Sequence, residues 1–135
     1  MWTQQKASDA FTLYVSEKGE DYRIAPNFIL REAQCKDGSD LVLLHPAAVD
    51  LAQHLRDLYG PLRISSWYRS PDHNDRIGGT PTSKHLLGMA FDWYPLELNI
   101  EQVQKEVRRM EIGGVGIYEG FTHCDVWGVG RRWNG

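Results

Sequence analysis

The sequence predicts an α+β fold: a small antiparallel sheet with two helices packed on one face, the loops and strand ends of the other face being left to carry a site. Two patterns carry that prediction. Apolar residues recur at helical spacing over Pro46–Tyr59 and again over residues 99–110. Around them, residues 62–66, 89–94, 114–118 and 121–127 read as short strands separated by turn residues. A length of 135 residues allows one domain with a real core and is too short for two comfortable ones.

Residues 1–26 are polar and mixed, with weak alternation at Phe11-Thr12-Leu13-Tyr14-Val15. They are expected to pack as an arm on a domain spanning residues 27–135. Asn27-Phe28-Ile29-Leu30-Arg31-Glu32 reads as a short capped helical turn, leading into the turn-rich Cys35-Lys36-Asp37-Gly38-Ser39-Asp40. Pro46 suits the first position of a helix and Gly60-Pro61 ends it. Val49, Ala52, Leu55 and Leu58, with Ala48 and Leu51, give this helix one apolar face. Leu62-Arg63-Ile64-Ser65-Ser66 then alternates as a strand does. Residues 69–84 follow as a long polar loop punctuated by Pro71, Gly78-Gly79 and Pro81. Asn99 caps the second helix with Gln102 as its reciprocal partner, and Ile100, Val103, Val107 and Met110 form its buried stripe. Glu119-Gly120 joins the last two strands tightly.

Composition narrows the function. A hydrophobic content of 41% with 24% charged residues is that of an ordinary soluble protein. The net charge of −3, with no basic run denser than Arg108-Arg109 or Arg131-Arg132, argues against a nucleic-acid partner. No run approaches membrane-spanning length, so no membrane insertion is expected. Met1-Trp2-Thr3-Gln4-Gln5-Lys6 lacks the apolar core of a secretory signal, so synthesis in the cytoplasm is expected, and a monomer. Five tryptophans exceed what a chain of this size needs, and Trp67, Trp93 and Trp127, with Tyr68, are candidates to wall a groove, at least two of these four being core. Cys35 and Cys124 show no disulfide spacing. On a strand Cys124 points away from its neighbours His123 and Asp125, which suits a buried free thiol.

The chemistry concentrates in Ser83-Lys84-His85-Leu86-Leu87-Gly88-Met89-Ala90-Phe91-Asp92 and in Thr122-His123-Cys124-Asp125. If residues 89–94 are extended, Asp92 shares a face with Ala90 and Tyr94, opposite Phe91 and Trp93. A carboxylate in that apolar setting is costly to bury unless it is paired or bound to a metal. His85, Asp92 and His123 together offer two imidazoles and a carboxylate, the donor set of a catalytic zinc with its fourth position open. Magnesium and calcium prefer oxygen donors. Non-haem iron accepts the same donors, but its facial-triad enzymes place a His-x-Asp pair before a distant His on a jelly roll, and this chain has too few strands. His45, His54 and His73 lack such settings: His54 flanks the first helix and His73 falls at a helix start.

The motifs Ser66-Trp67-Tyr68-Arg69-Ser70-Pro71, Gly78-Gly79, Ser83-x-His85-x-x-Gly88-x-Ala90-x-Asp92 and Gly113-Gly114-Val115-Gly116-Ile117-Tyr118 followed by Phe121-x-His123-x-Asp125 resemble the zinc D-alanyl-D-alanine carboxypeptidase family. Asn27-Phe28-x-Leu30-Arg31-Glu32 with Cys35-Lys36-Asp37-Gly38 is similar to the segment before the catalytic core in its single-domain branch. The likeness spans residues 27–127. That family includes bacterial cell-wall peptidases and phage endolysins and shares its fold with hedgehog signalling domains and lysostaphin-like peptidases. The resemblance implies Zn2+ held by His85, Asp92 and His123, a peptidoglycan peptide as substrate, and Arg69 facing the cleft to bind a substrate carboxylate or the scissile carbonyl. It implies action on the bacterial wall after release, in phage lysis or from a virion.

A zinc peptidase also needs a group that takes a proton from the attacking water. Asp125, two residues past His123 on the same strand face, is the first candidate, with an orienting role for a ligand or Arg69 as its alternative. Glu119 is the second, on that face if the strand runs straight through Gly120. Ser83 is expected to support His85 or the substrate, and Tyr68 to touch the substrate. The competing reading is a non-catalytic module that keeps the fold and the zinc and binds cell wall or protein.

Overall fold

The computed structural model describes residues 12–15 and 22–135; the rest of the expected arm, Phe11 included, lies outside the described residues. In chain order the strands are β1 (Thr12–Val15), β2 (Arg23–Ala25), β3 (Phe28–Ile29), β4 (Leu41–Leu44), β5 (Leu62–Ser66), β6 (Ala90–Pro95), β7 (Gly114–Tyr118), β8 (Phe121–Asp125) and β9 (Arg131–Asn134). The helices are α1 (Pro46–Tyr59), α2 (Pro71–Arg76) and α3 (Ile100–Val107). β1 pairs with β4, and β2 pairs with β3 across the boundary between the expected arm and domain. The main sheet has the order β5-β6-β8-β7-β9.

Local chemistry explains the helices. The ring Nδ1 of His45 accepts the Ala47 N–H at 3.0 Å, Pro46 fills the first helical position, and Gly60 stops α1 with φ of 75°. The buried stripe of α1 is Ala47, Ala48, Leu51, Ala52, Leu55 and Tyr59. Leu58, expected on that face, is 51% exposed: Tyr59 takes the centre of the stripe in the last turn and leaves Leu58 at its edge. Asn99 Oδ1 accepts the Gln102 N–H at 3.0 Å, as a cap should. α3 ends at Val107, so Met110, expected in its stripe, lies beyond the helix. The turn expected at residues 27–32 begins later. Phe28 and Ile29 belong to β3, and a 3-10 turn follows over Leu30–Ala33, with Glu32 Oε2 accepting the Ile29 N–H at 2.9 Å.

Both long helices lie on the face that carries Trp93. Its ring stacks on Tyr59 of α1 at 6.2 Å, and the Tyr59 hydroxyl donates to Glu106 of α3 at 3.5 Å. Trp93 Nε1 donates to Cys124 Sγ at 3.3 Å, deep in the same layer. Trp67 packs between Phe91 and Phe28, at 5.2 and 6.1 Å. Both cysteines are free and buried. The core thus occupies one side of the sheet, as the α+β reading requires.

Two further features depart from expectation. The polar loop over residues 69–84 contains α2, capped by Ser70, whose hydroxyl accepts the His73 N–H at 3.2 Å. The sheet also gains β9, which pairs parallel with β7, Gly114 opposite Arg131, so its edge is not antiparallel. Gly128 (φ 62°) and Gly130 (φ 80°) turn the chain back after β8 to reach that edge. Arg132 then fastens it, donating to the carbonyls of Met110 at 2.6 Å, Gly113 at 2.7 Å and Arg108 at 2.8 Å. Among the described residues no helix is long and apolar enough to cross a membrane.

Candidate metal centre

Three elements deliver three side chains to the open face of the sheet. Asp92 in β6 and His123 in β8 are direct cross-strand partners, so the pleat puts both side chains on one face. His85 stands on a 3-10 turn over Lys84–Leu87, capped by Ser83, whose Oγ accepts the His85 N–H at 3.3 Å. Gly88 ends that turn in the left-handed region (φ 63°), and a Cβ there would run into the Leu43 carbonyl of β4. Only glycine lets the turn sit so close to β4.

The candidate donor atoms of His85, Asp92 and His123 all lie within 4.8 Å of one another. Asp92 Oδ1 is 3.3 Å from His85 Nε2 and 3.1 Å from His123 Nδ1. Each imidazole is held from behind. His85 Nδ1–H donates to the Trp67 carbonyl at 2.6 Å, and His123 Nε2–H donates to Asp125 Oδ2 at 2.9 Å. Those outward bonds orient the rings and turn one nitrogen of each toward Asp92. A salt bridge does reach Asp92, but on its other oxygen: Arg69 Nη2 is 3.6 Å from Oδ2. Oδ1 stays with the imidazoles.

The electrostatics follow from that arrangement. Burial pushes the Asp92 carboxyl up, but hydrogen bonds from His123 and His85 and their charge outweigh it and hold it below the ordinary range. Burial pulls the His123 imidazole down, and the hydrogen bonds to Asp125 and Asp92 more than reverse that, so its pKa is raised. Asp125 is fully buried. Burial pushes its carboxyl up too, yet the His123 and Arg131 bonds bring it down to about 2.

These residues face a cleft of about 600 Å³. Arg69 lines it, its Nε donating to Ser66 Oγ at 3.3 Å and Nη1 to Asn74 Oδ1 at 3.4 Å. Ser83 lines it as well. Tyr68 does not: it is 6% exposed and packs in the core, where burial raises its hydroxyl pKa. Glu119 is exposed on the β7–β8 turn and outside the cleft lining: Gly120, with φ of 86°, bends the chain there, so the straight run that would have put Glu119 on the His123 face does not occur. Trp67 and Trp93 are core, whereas Trp127 lines the cleft with the Lys84 ammonium 4.1 Å over its ring.

Sequence reasoning missed the contribution of β9. Arg131 grips Asp125 with both terminal nitrogens, Nη1 to Oδ1 at 2.9 Å and Nη2 to Oδ2 at 3.1 Å. Trp133 lies 5.1 Å from the His123 ring, and a Cβ at Gly114 or Gly116 would strike its indole. Its Nε1 donates to the Tyr118 hydroxyl at 2.9 Å. The available signal was the alternation Arg131-x-Trp133 beside the Gly114-x-Gly116 pair, which puts two large side chains over two absent ones.

A sequence-family model described as Peptidase M15 matches residues 23–125. The peptidoglycan L,D-endopeptidase MepK of Escherichia coli K12 is 31% identical over 100 residues, covering 67% of this chain and 54% of that protein. The protein of the same name from Shigella flexneri matches to the same extent. The chain therefore spans about half the length of the curated relatives it matches. With three quarters of its residues under one family model, and a relative at this identity, the chain belongs to the peptidase M15 family.

Proposed function

We propose that this chain is a zinc-dependent peptidase that hydrolyses stem or cross-link peptides of peptidoglycan. The observation that carries the reading is the meeting of His85 Nε2, Asp92 and His123 Nδ1 beside an open cleft. Two donors at 2.0–2.1 Å from a tetrahedral zinc stand about 3.3 Å apart. The separations of 3.3 and 3.1 Å from Asp92 Oδ1 fit that spacing, and two nitrogens with one carboxylate fit its chemistry. Peptidases of this family are generally zinc-dependent. When bound, zinc lowers the pKa of its water to about 7 and polarises a carbonyl.

The chain's own groups do the rest. Arg69, braced by Ser66 and Asn74, presents its guanidinium to a substrate carboxylate or to the oxygen of the scissile carbonyl. Ser83 holds the turn that carries His85. Asp125 keeps Nε2–H of His123 engaged and so leaves Nδ1 to the metal. We assign it that orienting role and not proton transfer. Its Oδ1 already accepts from Gly114 N, Trp127 N and Arg131, and its Oδ2 from His123 and Arg131. The relatives' name adds the substrate class, and an L,D bond is the first to test. All three donors come from one chain, so a monomer suffices. The setting we infer is the bacterial wall, reached after release in phage lysis or from a virion, on the family likeness alone.

One observation favours a second reading, a zinc-holding module that binds wall without cutting it. Among the described residues the only carboxylates lining the cleft are Asp92 and Asp125, and both are engaged. Mass analysis of muropeptides from purified walls separates the readings. A peptidase releases new peptide ends with the wild-type chain and with Glu119→Gln, and none with His123→Ala. Walls that bind the zinc-loaded wild-type chain and yield no new ends would establish the binding module instead.

A further inference from the structure

We propose that β9 completes the metal centre, and that Arg131 is a positioning residue that fixes His123 by way of Asp125. The inference rests on the reading that His123 holds the metal through Nδ1. Asp125 Oδ1 is anchored by two backbone donors, Gly114 N at 2.8 Å and Trp127 N at 3.0 Å. Among the described residues Oδ2, the oxygen that orients His123, has two partners: His123 Nε2–H and Arg131 Nη2–H. Without Arg131, Oδ2 is steadied by nothing but the ring it is meant to steady. The guanidinium fork takes one oxygen in each arm, at 2.9 and 3.1 Å, and so blocks rotation of the carboxylate about its own axis.

Arg131 is itself fixed. Nη1 also donates to the Trp127 carbonyl at 2.7 Å, and the backbone pairs with Gly114 in the sheet. Two residues on, Trp133 presses its indole toward the His123 ring from β9. The imidazole is thus held at its Nε2 edge through Arg131 and Asp125, and flanked by an aromatic ring from the same strand. The matched family region ends at residue 125, so this clamp lies beyond it.

Cobalt(II) is the probe, because its visible absorption reports both affinity and ligand geometry. The full chain is titrated with cobalt at pH 7 against a chelator, with thermal melts of every variant. The wild type is expected to bind one cobalt with a tetrahedral band. Arg131→Gln should weaken binding about 10- to 100-fold, the usual cost of removing an outer partner of a metal-bound histidine, and shift the band. Arg131→Lys, which keeps the charge and loses the fork, should fall between. In an Asp125→Asn background Arg131→Gln should add nothing, since Arg131 acts through Asp125. Arg132→Gln, which loosens β9 at the Met110, Gly113 and Arg108 carbonyls without touching Asp125, should lower the melting temperature and shift the band less than Arg131→Gln does. Wild-type affinity and band shape in both Arg131 variants would overturn the proposal, as would an equal band shift in Arg132→Gln or additive effects with Asp125→Asn. A wild-type chain that binds no cobalt would instead remove the zinc reading beneath it.

Discussion

Asp125 shows how much a single carboxylate can settle once it is buried. It accepts from the Gly114 and Trp127 backbone, from Arg131 and from His123, and its pKa falls to about 2 from an ordinary 3.8. A carboxyl depressed on folding adds stability above its unfolded pKa and loses it as pH drops through the folded value. In the metal-free chain that contribution, about 2 kcal/mol, should disappear between roughly pH 4 and pH 2. Urea unfolding across that window should show the decline, and Asp125→Asn should make it shallower, the depressed Asp92 carboxyl still contributing; an unchanged slope in the variant would contradict the assignment. The meeting of His85, Asp92 and His123 is legible in the sequence, because a carboxylate and an imidazole on short apolar strands need a partner. The grip of Arg131 on Asp125 is not, since Arg131 reads as one of two surface basic residues until β9 is paired.

At the scale of elements, helices and hairpins are legible where the signal is local. Pro46 and Gly60 bound α1, Asn99 caps α3, and Glu119-Gly120 turns β7 into β8. The failures are elements whose stability comes from elsewhere in the chain. β9 is a four-residue strand with two arginines, held by a parallel partner and by Arg132 on three distant carbonyls. α2 is six residues inside a polar stretch and depends on the Ser70 cap. The turn bearing His85 depends on Gly88 in the same way. Gly88→Ala forces a side chain into the left-handed region and against the Leu43 carbonyl. We expect a loss of about 2–4 kcal/mol, read from urea unfolding, with weaker metal retention because His85 moves with its turn. Wild-type stability in that variant would show that the turn does not need the close approach to β4.

Across the described molecule, α1 and α3 cover the face of the sheet that carries Trp93, and the other face carries the cleft, with Trp127 and Trp133 in its wall. Cys124 marks the division: its neighbours in β8 face the cleft while its thiol sits in the core against Trp93. Burial pushes that thiol up to about 12. The folded chain at pH 8 should therefore leave Cys124 unmodified by a thiol reagent until denaturant is added; rapid modification of the native protein would mean the core layer opens readily. The α+β class is legible because sheet and helix segments have different periods, whereas the parallel edge is a pairing choice that no local period records. The central claim is that His85, Asp92 and His123 hold one divalent metal between them. Elemental analysis after exhaustive dialysis against a zinc buffer tests it most directly. One zinc per wild-type chain and none in Asp92→Asn or His123→Ala is the expected result; a metal-free wild type, or equal zinc in all three proteins, would contradict it.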